Sequence, residues 1–432
     1  MSTARSMTSN ISDAAAAHAA TPVTSEELQG AAAALFDTTV EVRRHLHRHP
    51  ELSFYEHETS AYVADQLRQM GVPFKKGFGK HTVRQTTPEG EAEVELEGHG
   101  IVAYIEGAML GHTVGLRADM DALPISEDAN HTVCSENPGV MHACGHDIHT
   151  AQLLTVTRML WERRSRLAGR YVIVFQPGEE SWPGGASLMI AEGALESFGC
   201  TPEVVLGAHV LAEMPVGHVG FREGTYMASG DEIHLHISGR GGHGGMPHLV
   251  TDQVLIGCET VVAMQHLVAR EVPATVPLVL SFGKFMANGA TNVIPDTTYI
   301  CGTMRTMNET WRARMKERIT TVAQSIASAY GAHTEVEIRH GYPSVCNNEA
   351  LTAQATELAK EMLGAEAVES MPLRMTAEDF GYYTQRYPSV FYRFGVGSPA
   401  GAHTPQFEPN EEALRTAPAV MAWLAVKMAE KE

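Results

Sequence analysis

The sequence predicts an α/β protein, a mostly parallel sheet flanked by helices with a smaller α+β domain inserted into it. Three observations lead there. Four apolar runs, Val114 to Met120, Tyr171 to Phe175, Val204 to Ala208 and Val390 to Gly397, lack steady polar alternation and read as strands buried on both faces. Helical spacing separates most of them, as at Leu153, Val156 and Leu160, before the polar stretch Glu162-Arg163-Arg164-Ser165-Arg166. Between residues 227 and 338 the texture changes, and Ile233, Leu235 and Ile237 alternate with His234, His236 and Ser238 as in a half-buried strand.

Taken in order, residues 1–24 are rich in Ser, Thr and Ala and read as a disordered leader. Ala14 to Ala17 is too weak for a secretory core, and Asp13 with a single arginine argues against an organelle transit peptide. The catalytic domain is expected over 25–226 and 339–432. In the inserted segment, 227–338, helices are expected over 249–269 and along Trp311, Met315, Ile319, Val322, Ile326 and Tyr330, with Asn308 as N-cap and Gly331 at the C-terminal end. Strands near 278–286, 297–304 and 334–339 give the order β-α-β-β-α-β of a ferredoxin-like domain. The main fold resumes with a helix on Leu351, Leu358 and Met362. A last helix runs along Leu414, Met421, Leu424 and Met428, where Pro418 predicts an irregularity.

Composition narrows the partners. No apolar run approaches the roughly 20 residues of a membrane span, so no membrane partner is expected. Acidic residues outnumber basic ones by 51 to 32, a formal charge of −19, which opposes nucleic acid and reads most simply as solubility. The cysteines at 134, 144, 200, 258, 301 and 346 are too scattered for a disulfide framework and fit a reducing cytoplasm.

The chemistry gathers after the apolar runs, where an open α/β sheet binds its ligands. His142-Ala143-Cys144-Gly145-His146-Asp147 places a thiol and two imidazoles within five positions, and a single glycine can turn Cys144 and His146 to one side of a bend. Gln176-Pro177-Gly178-Glu179-Glu180 follows one run, His209 another and His403 a third, while Asp119 and Asp121 follow the first. A lone histidine is more often structural, and adjacent glutamates are usually solvated. Gathered at one sheet edge, these groups suit two divalent ions bridged by one anionic ligand. Two such ions about 3.5 to 4 Å apart lower the pKa of a shared water to about 7 and polarise a carbonyl, leaving one glutamate to move the proton. That chemistry hydrolyses an amide or a close relative. Thiolate, imidazole and carboxylate together admit zinc, manganese, cobalt or nickel.

The segments Leu46 to Ser53, Leu116 to Pro124, Met141 to His149, Gln176 to Glu180, Gly239 to His248, Asn292 to Asp296, Ala377 to Phe380 and His403 to Phe407 occur in this order. Through them the chain resembles, over about residues 30 to 425, the aminoacylase and hippurate hydrolase branch of the dinuclear metallopeptidases, which includes plant auxin-conjugate hydrolases. The resemblance implies that Cys144 bridges two metals, zinc or manganese first, and that His146, Glu180, His209 and His403 complete the ligands. It implies Glu179 as general base, with Asp119 and Asp121 behind the ligands. It further implies N-acyl amino acid substrates and a homodimer formed by the inserted domain, which also acts as a lid. His243 would reach the other subunit's site as an oxyanion donor, while Asn292 and Arg305 would hold the substrate. Gly178 and Gly244-Gly245 stand where small alanines are usual, which could loosen the backbone or enlarge the pocket.

Other readings stay open on the residues alone. Gly239-Arg240-Gly241-Gly242-His243-Gly244 fits the dinucleotide fingerprint in form, but Pro247 follows closely and the preceding strand alternates. Cys144 could be a nucleophile paired with His142 or His146. A metallo-carboxypeptidase or dipeptidase would use every one of the same ligands, and a non-catalytic metal-binding scaffold would have no need of Glu179.

Overall fold

The structure, a computed structural model, describes residues 21–87 and 90–431; the expected leader lies outside them up to residue 20. The chain forms two compact units. One takes the described residues up to Gly224 with Asn347–Met371 and Tyr382–Glu432, the other Thr225–Cys346 with Pro372–Gly381.

The first unit is built on an eight-stranded sheet. Its centre consists of Ala168–Gln176, Met109–Asp119, Val204–Leu211 and Ser389–Gly395, side by side in that order and mutually parallel. These are the four apolar runs, and helices cover both faces as a parallel sheet requires. Gly100–Glu106, with its own apolar run from Ile101 to Ile105, and Phe74–Phe78 extend one edge in antiparallel fashion. Val219–Phe221 runs antiparallel to Ser389–Gly395 and pairs in parallel with Val368–Ser370 at the other edge. Helix Ser25–Arg48 starts at Thr24, whose hydroxyl accepts the Glu27 N–H at 3.2 Å. It packs with the buried helices His146–Arg163 and Ala417–Ala429.

Three expectations are corrected here. The run from Val204 continues to Leu211, so His209 lies inside its strand rather than after it. Pro418 sits in the first turn of Ala417–Ala429, where no N–H is required, so it begins that helix instead of distorting it. Leu414 belongs to a separate 3-10 turn, Glu411–Arg415.

The second unit is a four-stranded antiparallel sheet in the order Leu278–Met286, Thr297–Thr306, Ser229–Ser238, His333–His340. Helices Gln253–Arg270 and Glu309–Ala329 complete the β-α-β-β-α-β order. Asn308 Oδ1 accepts the Trp311 N–H at 3.0 Å and so caps the second helix. Ile233, Leu235 and Ile237 are fully buried in a core with Met264, Met315 and Ile319. The unit also takes Pro372–Gly381, a stretch expected in the larger domain. Among the described residues no helix is long and apolar enough to cross a membrane.

Candidate metal centre

Gly145 is the N-cap of helix His146–Arg163 and sits at φ 84, in the left-handed region. An added Cβ would stand 2.7 Å from Val210 Cγ2, so glycine is required by both conformation and space. The turn brings Cys144 and His146 into one cluster with His209, their ligand atoms lying within 4.8 Å of one another.

Hydrogen bonds fix which nitrogen each imidazole offers. His146 Nδ1 donates to the Asp121 carbonyl at 2.9 Å and lies 3.1 Å from Asp121 Oδ1. Its Nε2 is left buried with no hydrogen-bond partner among the described residues. His209 Nδ1 donates to the Val210 carbonyl at 2.8 Å, which leaves Nε2 as a lone pair 3.3 Å from Cys144 Sγ. His403 is held at φ 62, a conformation that a non-glycine residue adopts only when its surroundings impose it. Its N–H donates to the Ala143 carbonyl at 2.8 Å, and its Nε2 lies 3.3 Å from Cys144 Sγ and 3.2 Å from Glu180 Oε1.

The result is two overlapping ligand triads, Cys144 with His146 and His209, and Cys144 with Glu180 and His403. Glu179, buried, clusters with His146 and Glu180. His403 is the exposed member and keeps the group open on one side. Asp119 accepts from Arg117 at 2.6 Å and pairs with His149 at 2.6 Å, while His149 Nε2 accepts the Val210 N–H at 2.9 Å. Both nitrogens of His149 are spent, so it holds the site together rather than binding an ion. Sequence reasoning missed it, although its place three residues after His146 on one helix face was a usable signal.

Charge in the cluster is strongly coupled. Burial and the Glu180 charge push the Cys144 thiol up. Hydrogen bonds to Cys144 and Glu180 hold His403 up at about 10. Burial and the Arg393 charge keep His209 well below the ordinary range, which leaves it neutral and free to accept a cation. Burial would lower His146 too, but Asp119 and Cys144 raise it well above that range. Protons held among thiol, imidazole and carboxylate groups this close are the ones a divalent cation displaces, so the residues fit such a centre.

His243, Asn292 and Arg305 belong to the second unit. His243 lies in the two-residue strand Gly242–His243 opposite Val293, and the Gly244 N–H donates to the Asn292 carbonyl at 2.8 Å. The Gly245 N–H donates to His243 Nδ1 at 2.9 Å, which leaves Nε2–H as a donor. Arg305 lies on Thr297–Thr306 across from Gly230, where its guanidinium occupies the room a Cβ would need. The loop from Gly239 leads into a short strand and not a helix, so the fingerprint-like glycines form no dinucleotide turn. Of the glycines at unusual positions, two leave no free space, since the Phe54 ring fills the place of a Gly178 Cβ and a Gly245 Cβ would stand 3.1 Å from His243 Cε1, whereas a Cβ at Gly244 would meet Asn292 only at ordinary contact distance, 3.5 Å.

Comparison with known proteins places this geometry in a lineage. Residues 115–427 match the model of peptidase family M20/M25/M40. The chain is 39% identical to a Bacillus subtilis protein provisionally named an amidohydrolase, over 90% of this chain and 94% of that one. It is 37% identical to the N-acyl-L-amino acid amidohydrolase of Geobacillus stearothermophilus, over 75% and 82%. Among solved structures, a Bacillus subtilis dinuclear metal-binding peptidase of the M20 family superposes with a TM-score of 0.74 at 30% identity, covering 92% of this chain and 99% of that one.

Proposed function

The chain belongs to peptidase family M20/M25/M40 and is a hydrolase of amide bonds, and from that premise we propose that it cleaves N-acyl amino acids to a carboxylic acid and an amino acid. The observation that carries the reading is the pair of ligand triads sharing Cys144 with Glu179 beside them. Each triad would hold one divalent ion, zinc or manganese first, with Cys144 common to both. When bound, the ions supply Lewis acidity toward the scissile carbonyl and the attacking water.

The protein's own groups do the rest. Glu179 takes a proton from the attacking water and delivers it to the leaving nitrogen. Asp121 and the Val210 carbonyl orient His146 and His209 for binding. His243, with Nε2–H as donor, stabilises the charge that develops on the carbonyl oxygen. Asn292 and Arg305 hold the substrate, Arg305 through its carboxylate. The reading takes His243 from a second copy of the chain, joined through the inserted domain. In support, Leu278–Met286 is a sheet edge with Val279, Phe285 and Met286 exposed, and helix Gln253–Arg270 exposes Leu255 and Val262. Six free cysteines support a reducing compartment such as the cytoplasm.

The test is a parallel assay of an N-acyl amino acid and a dipeptide ending in the same amino acid. The expected kcat/KM favours the acyl compound at least tenfold, is lost on chelation and returns with the metal. A tenfold preference for the dipeptide would replace this reading with a peptidase, and rapid iodoacetamide inactivation of metal-replete enzyme would point to Cys144 as a nucleophile.

A further inference from the structure

The segment from Glu51 to Glu56 carries no ligand and no proton-transfer group of the proposed reaction, yet it is built against the turn that carries both glutamates. Ser53, Phe54 and Glu56 are all buried. Glu51 accepts the Glu58 and Thr59 N–H groups at 3.1 and 2.8 Å and so anchors the start of helix His57–Met70. Ser53 Oγ donates to Asp121 Oδ2 at 2.6 Å, and the same oxygen accepts the Glu180 N–H at 2.9 Å. Two residues earlier in the turn, the Gly178 N–H donates to Glu56 Oε1 at 2.7 Å. Gly178 adopts φ 64, and the Phe54 ring lies over its α-carbon where a side chain would otherwise stand. Glu179 is thus the residue between two clamped amides, one held by Glu56 and the other by Asp121.

We propose that Glu56 is a positioning residue for Glu179, holding the Gly178 amide so that the proton-transferring carboxylate keeps its place beside His146 and Glu180. The proposal rests on the reading of Glu179 given above. It explains why a glutamate at position 56 is fully buried although its Oε2 finds no hydrogen-bond partner among the described residues. Burial and the Asp121 charge push the Glu56 carboxyl well above the usual range, so glutamine is a close stand-in for the neutral acid. Glutamine also keeps the oxygen that accepts the Gly178 N–H.

The test compares Glu56→Ala and Glu56→Gln in the metal-loaded enzyme, with kcat and KM for an N-acyl amino acid, metal content, and amide exchange at Gly178. Displacing an aligned group lowers turnover by roughly 10- to 100-fold. Glu56→Ala should therefore lower kcat in that range with KM within about threefold of wild type and metal content unchanged, and Gly178 exchange should speed up. Glu56→Gln should restore kcat to within about threefold and keep the amide slow. Unchanged kcat in Glu56→Ala, unchanged Gly178 exchange despite lost turnover, or a Glu56→Gln enzyme as poor as Glu56→Ala would each overturn the proposal. If Glu56→Ala does not fold, Glu56→Asp probes the same contact, since it keeps a carboxyl but withdraws it from the Gly178 N–H. Reduced kcat with metal retained is expected, and full activity would overturn the role. A normal Glu56→Ala enzyme beside an inactive Glu179→Gln enzyme removes only this proposal, whereas an active Glu179→Gln enzyme removes its premise.

Discussion

Replacing Gly145 with alanine tests whether one backbone turn assembles the centre. Alanine at φ 84 incurs the left-handed cost of an L-residue, roughly 1–2 kcal/mol. Its Cβ would also stand 2.7 Å from Val210 Cγ2 and 3.3 Å from Cγ1, and overpacking of that kind costs about 1–3 kcal/mol. The metal-free protein should therefore lose about 2–5 kcal/mol, read from the urea midpoint. The strain falls where it matters chemically, because Cys144 and His146 flank the turn and the Val210 carbonyl orients His209. Metal affinity should drop at least about tenfold in a competition titration. Gly139 supplies the control, since it has φ 82 but nothing within 4 Å of an added Cβ. Gly139→Ala should show the backbone cost alone, roughly 1–2 kcal/mol, and bind metal normally. If Gly145→Ala matches Gly139→Ala in stability and keeps full affinity, the turn does not assemble the site.

Cys144→Ala should lose more than half of the bound metal by elemental analysis, because both triads include that sulfur; two ions retained would remove the bridging role. His149→Ala should weaken metal binding by roughly 10- to 100-fold although both of its nitrogens are taken up by hydrogen bonds, because Asp119 and the Val210 amide each lose a partner. Burial holds His142 down at about 4, against about 6.5 in the unfolded chain. Between those values the unfolded chain binds a proton that the folded one refuses, so stability falls as pH drops from 6.5 to 4, by at most about 3 kcal/mol. His142→Gln should flatten denaturation curves across that window, and an unchanged slope would assign the acid sensitivity elsewhere.

What the sequence disclosed followed from what each element buries. The four central strands are covered on both faces, so their apolar runs stand out, and the second unit's alternation and its Asn308 cap are local signals. Val219–Phe221 and Val368–Ser370 are three residues each, and Phe74–Phe78 carries Lys75 and Lys76, so these edges leave no comparable pattern. His209 looked like a residue beyond its strand because its polarity broke the run, yet strand pairing continues through it to Leu211. Ligand-type residues were visible by their chemistry. Asp119 and Asp121 were expected behind the ligands, but the contacts of Glu56 with Gly178 and of His149 with Asp119 form only through the fold.

The most direct measurement is turnover and metal content of Glu179→Gln, determined on the same preparation. If Glu179 moves the proton and Cys144, His146, Glu180, His209 and His403 hold the ions, hydrolysis of an N-acyl amino acid disappears while metal per chain stays near the wild-type value. A variant that still turns over contradicts the assignment of Glu179, and one that loses its metal makes that glutamate part of the metal cage.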